Sequence, residues 1–111
     1  MELINIEKNM REAVLKIEEI GGKYAEARGI SYQMQELKKV VLAREMGNYD
    51  GSVASRETLA LASEGYSIHI NGTKDAIIAE ARLKAEYTRW QAQYESCRSL
   101  LSLEKAKVNL R

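Results

Sequence analysis

The last 36 residues of the chain carry apolar side chains at spacings of three, four and seven residues. This spacing places them along one face of an α-helix. The single Trp and the single Cys of the chain belong to this stripe. Its members are Ala76, Leu83, Tyr87, Trp90, Tyr94, Cys97, Leu101 and Val108. A helix with this much apolar and aromatic surface needs a second element to cover it, so the partner of the stripe decides the fold.

The N-terminal arm carries a matching stripe. Gaps of three and four residues alternate strictly through Leu3, Ile6, Met10, Ala13, Ile17, Ile20, Tyr24 and Ala27. This alternation is the heptad pattern of a coiled coil. We call the helix face that these residues form, together with the α-helical face that packs on it, the seam. The pattern continues through Ile30, Met34, Leu37 and Val41, but the step from Ala27 to Ile30 repeats a gap of three, which is a stammer.

Three glycines, Gly21, Gly22 and Gly29, lie around this irregularity. Each costs a helix about 1 kcal/mol relative to Ala. We therefore predict one long helix over residues 1–46 that overwinds or bends near the stammer. A kink between Gly21 and Gly29 is the expected defect, and a complete break there is the alternative.

The connector, residues 47–65, begins with the clearest loop signal of the chain, Gly-Asn-Tyr-Asp-Gly. We predict that Ser55 caps a short helix that runs through Ala62 and ends before Gly65. The next helix starts either near Tyr66, tolerating the Asn71–Gly72 pair, or after a cap at Thr73. We favour the earlier start.

Together these segments predict an all-α fold in a single domain. Its core is a long antiparallel, coiled-coil-like helical hairpin with arms 1–46 and 66–111 and a short helix in the connector. The second arm has further apolar residues away from the main stripe, namely Ile78, Ala81, Ala85, Ala92, Leu100, Leu103 and Leu110. One hairpin leaves them exposed, so we predict that hairpins pack into a homo-oligomeric bundle or bind a partner protein.

The charge balance and the single Cys restrict the function classes. Seventeen Lys and Arg residues against sixteen Asp and Glu residues provide no overall field for nucleic acid or an anionic membrane. No apolar run approaches the roughly 20 residues that cross a bilayer, and the N-terminus lacks secretory signal features. Cys97 has no partner for an intramolecular disulfide. We therefore expect a cytoplasmic protein without membrane contact.

A search for catalytic or metal-ligating residues finds no positive signal. His69, the single His, lacks the Glu-x-x-His spacing of di-iron bundles, because Glu64 lies five residues before it. Cys97 lies on the apolar stripe without a nearby His to activate it. Glu80 and Glu86 suit a solvated face better than an acid–base pair, and the glycines fit no phosphate-binding loop. We predict no catalytic residue, no metal and no cofactor, and hence no enzyme.

The aromatic residues and the basic tail of the second arm each allow two interpretations. Tyr87, Trp90 and Tyr94 are a conceivable base-stacking platform, but they share a face with Leu83, Cys97 and Leu101. We therefore interpret these six residues as a packing or oligomer stripe. The tail is basic, with only Glu104 as an acidic residue among the last fourteen. Its cations are a candidate nucleic-acid patch, although a helix dipole also favours cations there: Arg98, Lys105, Lys107 and Arg111.

Several short runs and single positions carry a resemblance to known proteins. They are Tyr32–Met46, Ala54–Glu57, Ala60, Ala62–Ser63, Tyr66, Ile70, Gly72, Glu80–Ala81, Arg89–Trp90 and Ser102–Glu104. Together they resemble a group of small uncharacterised helical proteins of tailed bacteriophages and prophages. The likeness spans residues 24–106 and departs from the group at 67–69, where the group has a longer polar helix. These proteins are encoded in early regions, often near recombination genes.

The resemblance implies a phage or prophage accessory role and supplies no catalytic residues. The expected function is protein–protein interaction, as an adaptor or inhibitor of a host or phage protein. The alternative is an accessory factor of phage DNA recombination that binds nucleic acid through the basic tail.

Overall fold

The computed structural model describes residues 2–110. In chain order its helices are α1 (Leu3–Glu36), α2 (Lys38–Met46), α3 (Val53–Leu61) and α4 (Glu64–Asn109). No strand occurs in this part of the chain, which confirms the all-α prediction. The backbone divides into two compact units. One contains the residues up to Ala25 and from Arg82 onward, and the other is Glu26–Ala81.

The first unit pairs the start of α1 with the later part of α4. Tyr24 packs on Tyr87 with ring centroids 5.9 Å apart, whereas Met10, earlier in α1, shares a groove with Tyr94, later in α4. The two segments are therefore antiparallel, as the hairpin prediction requires. Ile6, Ala13 and Ile20 are buried at intervals of seven residues, and Cys97 is buried on α4. These predicted residues thus form the core of this unit, whereas Leu3, also predicted to pack, is 36% exposed.

The second unit contains the end of α1, helices α2 and α3, and the start of α4. His69 of α4 lies 2.9 Å from the Met34 carbonyl of α1 through its Nε2 atom, and the Glu45 carboxylate of α2 lies against Gly65 of α4. The later residue of the first arm, Glu45, contacts the earlier residue of α4, Gly65, so this pairing is antiparallel as well. The short connector helix, α3, packs on α2. These contacts confirm the helical hairpin with a helix in its connector.

In the first arm, the complete break considered between Gly21 and Gly29 is wrong, and so is the stammer predicted at Ile30. Helix α1 continues through Gly21, Gly22 and Gly29 without a break. Ile30, predicted for the seam, is 49% exposed, whereas Ser31 is fully buried. The step from Ala27 to Ser31 is four residues, so the heptad alternation continues and no stammer exists. The Ser31 hydroxyl is satisfied there because it accepts a hydrogen bond from Gln35 Nε2 at 3.1 Å.

The first arm is instead interrupted at Leu37, a single residue between α1 and α2. Leu37 N–H donates to the Gln33 carbonyl at 3.0 Å, and the Leu37 carbonyl accepts from Val41 N–H at 2.9 Å. The Met34 carbonyl, which would accept from Lys38 N–H in an unbroken helix, is contacted by His69 instead. Heptad spacing from Met34 would place Lys38 in the seam, but Lys38 is exposed. The interruption therefore occurs where an unbroken seam would bury a charge.

The start of α3 also differs from the prediction. Its N-cap is Ser52, whose Oγ accepts from Ser55 N–H at 3.1 Å, so the cap predicted at Ser55 is wrong. Gly51 precedes it with φ +116°, a left-handed conformation that favours glycine. The loop thus ends earlier than the sequence suggested, because the first of two closely spaced hydroxyls caps the helix.

The start of α4 agrees with the earlier of the two predicted positions. Buried Ser63 precedes the helix, donates through Oγ to the Ala60 carbonyl at 2.6 Å and accepts from Tyr66 N–H at 3.2 Å. This hydroxyl links the end of α3 to the first turn of α4. Asn71–Gly72 lies within α4. The Met34 side chain packs close to this glycine, because a Cβ atom at Gly72 would lie 3.0 Å from the Met34 methyl.

Candidate interaction site

The packing stripe of α4 lies largely in the seam of the first unit. Cys97 is only 3% exposed. The other predicted members are half-buried, namely Leu83, Tyr87, Trp90, Tyr94 and Leu101. Glu104, three residues after Leu101, is half-buried, whereas Val108, seven residues after Leu101, is exposed. The seam therefore ends near Glu104 rather than at Val108.

The Tyr87 ring faces α1 at a glycine. A Cβ atom built on Gly21 would lie 3.1 Å from Tyr87 Cε2, so only a residue without a side chain leaves the ring its full space. Tyr24 packs on the same ring at an interplanar angle of 38°. Tyr87 is thus held between two α1 residues, a position that suits helix packing better than stacking on a nucleobase.

Trp90 occupies a more polar environment than its neighbours in the stripe. The guanidinium carbon of Arg89 lies 5.3 Å from the Trp90 ring centroid, within the range of a cation–π interaction. The indole N–H is buried and has no hydrogen-bond partner among residues 2–110. Asn9, Glu12 and Gln93 line a cavity of about 320 Å³ beside Trp90. Their side chains carry the acceptor oxygens that an indole N–H requires.

The basic tail is less available than its composition suggests. Arg98 Nη2 lies 3.3 Å from Glu95 Oε2, and Lys107 Nζ lies 3.3 Å from Glu104 Oε1. Both pairs join residues three positions apart on one helix, where such exposed pairs contribute at most about 0.5 kcal/mol. Lys105 is exposed, and Arg111 lies outside the described residues. Two of the four predicted phosphate contacts are therefore already paired with carboxylates.

His69 and Cys97 each contact another group of the fold. His69 is half-buried, and because a carbonyl can only accept, Nε2 carries the proton in its contact with Met34. The Cys97 thiol lies 3.9 Å from Gln93 Nε2. No cluster of three or more His, Cys, Asp or Glu side chains able to hold a metal ion occurs between residues 2 and 110. The observed role of His69 is to satisfy the carbonyl left open beside the Leu37 interruption.

A groove in the second unit was missed by the sequence reasoning. Its volume is about 520 Å³, and its walls come from both arms: Gln35, Lys38, Ile70, Thr73, Lys74, Ile77 and Ile78. We call it the Ile77 groove. Its α4 residues recur at helical spacing, so the sequence alone indicates that they share one helix face. The opposite wall comes from Gln35 and Lys38, on either side of the interruption at Leu37. No Gly or Pro near Leu37 indicates this interruption in the sequence.

Two further findings bear on the setting of this surface. Between residues 2 and 110, no helix combines the length and apolarity needed to span a membrane. The comparisons with protein-family models, curated proteins and solved structures found no significant match to this chain.

Proposed function

We propose that this protein is a non-enzymatic helical module that binds other protein chains, including copies of itself. The observation that carries the proposal is the number of large aliphatic side chains left exposed. Both units contribute them, and the set includes Ile4, Leu15, Val40, Ile68, Ile77, Ile78 and Leu103. Contiguous apolar surface on a small domain is typical of protein-binding sites, and Ile70, Ile77 and Ile78 line one groove of the second unit.

The small interior of the chain supports the same proposal. Between residues 2 and 110, the largest fully buried side chains are those of Ile6 and Ser31, so this part of the chain buries few large residues completely. Covering more aliphatic surface gains about 25 cal/mol for each Å² removed from water. A homo-oligomeric helical bundle provides such cover, and so does docking onto a partner.

The biological setting we propose is that of a phage or prophage accessory protein. It would act in the host cytoplasm as an adaptor or inhibitor of a host or phage protein. The support for this setting is the resemblance of segments such as Tyr32–Met46 to helical phage proteins.

Light scattering coupled to size exclusion tests self-association. We expect a dimer or larger species at micromolar concentration. Leu15→Glu and Leu103→Glu place charges on exposed aliphatic positions, and Gln91→Glu is the matched control on an exposed polar position. A shift towards monomer in either aliphatic variant, with Gln91→Glu unchanged, supports association through these faces. A wild-type monomer at every concentration tested would remove self-association from the proposal.

The nucleic-acid alternative, an accessory factor of phage DNA recombination, ranks second because seventeen Lys and Arg residues against sixteen Asp and Glu residues provide no overall field for nucleic acid. Its test is the salt dependence of binding to single-stranded DNA, whose log–log slope is about −0.7 per phosphate contact. We expect weak binding near physiological salt. Tight, salt-sensitive binding that is lost when Lys105, Lys107 and Arg111 become Gln would reverse the ranking. The control replaces Lys8, Lys16 and Lys23 of the first arm with Gln, because it removes the same charge elsewhere.

A further inference from the structure

We propose that the Ile77 groove binds an acidic amphipathic helix of a partner protein. This inference rests on the proposed function and names the chemistry of the partner. It combines three observations: the shape of the groove, its apolar residues and the charge at its rim.

The groove has the shape of a site for a third helix. Its α4 wall consists of positions i, i+3, i+4, i+7 and i+8 counted from Ile70, which form one face over about 12 Å of helix. Gln35 and Lys38, three residues apart, supply the other wall. In a helix-in-groove interaction, an amphipathic helix packs its apolar face into a groove such as this channel between two antiparallel helices. A volume of about 520 Å³ is open between the two walls.

The interior of the groove calls for aliphatic side chains. Ile70, Ile77 and Ile78 all line it and all remain exposed to solvent. A partner helix with Leu, Ile or Val at helical spacing would cover them and gain the free energy of removing apolar surface from water.

The rim of the groove is cationic. Lys38 and Lys74 are both exposed, and within residues 2–110 neither forms an ion pair. No lining residue is acidic. Charge complementarity therefore selects a helix with Glu or Asp beside its aliphatic residues, because those carboxylates would meet the two ammonium groups at the edge of an apolar contact.

The same charges argue against a second copy of this chain in the groove. A two-fold symmetric interface presents the same patch from both copies. Lys38 and Lys74 of both copies would then lie in one interface whose lining has no acidic residue, and like charges gathered in an interface are unfavourable. The occupant we infer is therefore a different, acidic helix.

The test uses synthetic helical peptides of about four turns with Leu at positions i, i+3 and i+7. The acidic probe carries Glu on both flanks of the Leu stripe, and the basic probe carries Lys at the same positions. Fluorescence anisotropy measures their binding to the full chain. We expect the acidic probe to bind at least about tenfold more tightly than the basic probe.

Lys38→Glu combined with Lys74→Glu should weaken the acidic probe at least about tenfold and strengthen the basic probe. Both side chains are exposed, so this variant should keep its helical circular dichroism. Lys8→Glu combined with Lys84→Glu makes the same charge change at exposed positions outside the groove and should leave the preference intact. Ile77→Asp should weaken both probes, because it places a charge on the apolar wall.

Equal binding of the two probes, or no response to the Lys38 and Lys74 substitutions, would overturn the inference. A change of oligomeric state in that double variant would also overturn it, because a second copy would then occupy the groove. If neither peptide binds while the wild-type chain still self-associates, the groove inference falls and the proposed interaction module stands.

Discussion

Three glycines of α1 allow a sharp test of the packing between the arms. A Cβ atom added at Gly22 or Gly29 has no heavy atom within 4 Å outside its own local helix, whereas one added at Gly21 meets Tyr87. All three residues are helical. The same substitution, Gly→Ala, should therefore stabilise the protein at two positions and not at the third.

The expected magnitude follows from helix propensity. Ala is favoured over Gly inside a helix by about 1 kcal/mol, largely because Gly loses more conformational freedom on folding. Gly22 and Gly29 are seven residues apart, roughly 10 Å along the helix, so their effects should add to about 2 kcal/mol. For a chain of this size each kcal/mol raises Tm by about 4 °C, which predicts a rise of about 8 °C for the double variant.

At Gly21 the propensity gain meets a steric cost. Carbon atoms pack best at about 3.5–4.0 Å, and the added Cβ would lie 3.1 Å from Tyr87 Cε2. The ring has little freedom to retreat because Tyr24 packs on it. We expect Gly21→Ala to leave the free energy of unfolding unchanged or to lower it.

Thermal and urea unfolding followed by circular dichroism measures all three variants, at one protein concentration because association contributes to apparent stability. A double variant of Gly22 and Gly29 with unchanged stability would refute the argument that these sites have open space. A gain of about 1 kcal/mol for Gly21→Ala would refute the close packing of Tyr87 on α1.

Three further substitutions probe separate features of the fold. Ser63→Ala should cost about 1–2 kcal/mol because it removes the hydroxyl that caps α4, as measured by urea unfolding. Trp90→Ala should cost about 3 kcal/mol, the lower end of the range for buried Trp, because Trp90 is half-buried. Ser31→Leu should cost about 1–3 kcal/mol, since Ser31 has no exposed surface into which a larger side chain can extend.

Each of these variants has an informative contrary result. A Ser63→Thr variant that is as unstable as Ser63→Ala would indicate that the lost stability comes from something other than the cap. Unchanged melting of Trp90→Ala would place Trp90 outside the packed seam. A more stable Ser31→Leu variant would mean that Ser31 does not lie between closely packed arms.

The seam of the first unit was predictable because spacing alone decides which residues share a helix face. Ile6, Ala13 and Ile20 follow the heptad rule and are buried. The rule predicted less well where apolarity and spacing disagreed. Matching apolar residues selected Ile30, while strict heptad spacing from Ala27 selects Ser31, which is the buried residue. Burying a small polar side chain that has a hydrogen-bond partner in its own helix costs less free energy than rotating the whole helix face away from the seam.

The other differences between the sequence prediction and the structure depend on contacts between residues that are far apart in the sequence. Nothing local distinguishes Leu37 as an interruption, because the Met34 carbonyl is satisfied by His69, 35 residues later. The Ile77 groove was missed for the same reason. Its isoleucines are visible on α4, but the lysine that faces them across the groove comes from α2.

The departures from the apolar heptad rule are concentrated in the second unit, and this is a physical reason to look for binding there. Its seam holds polar residues that are satisfied in pairs, since Ser31 accepts from Gln35 and His69 contacts Met34. Polar seam positions lower packing stability and fix register. Here they also accompany the interruption that leaves Lys38 beside an aliphatic groove. Departures from local rules are expected at functional or strained sites, and the proposed binding groove lies beside one of them, the interruption at Leu37.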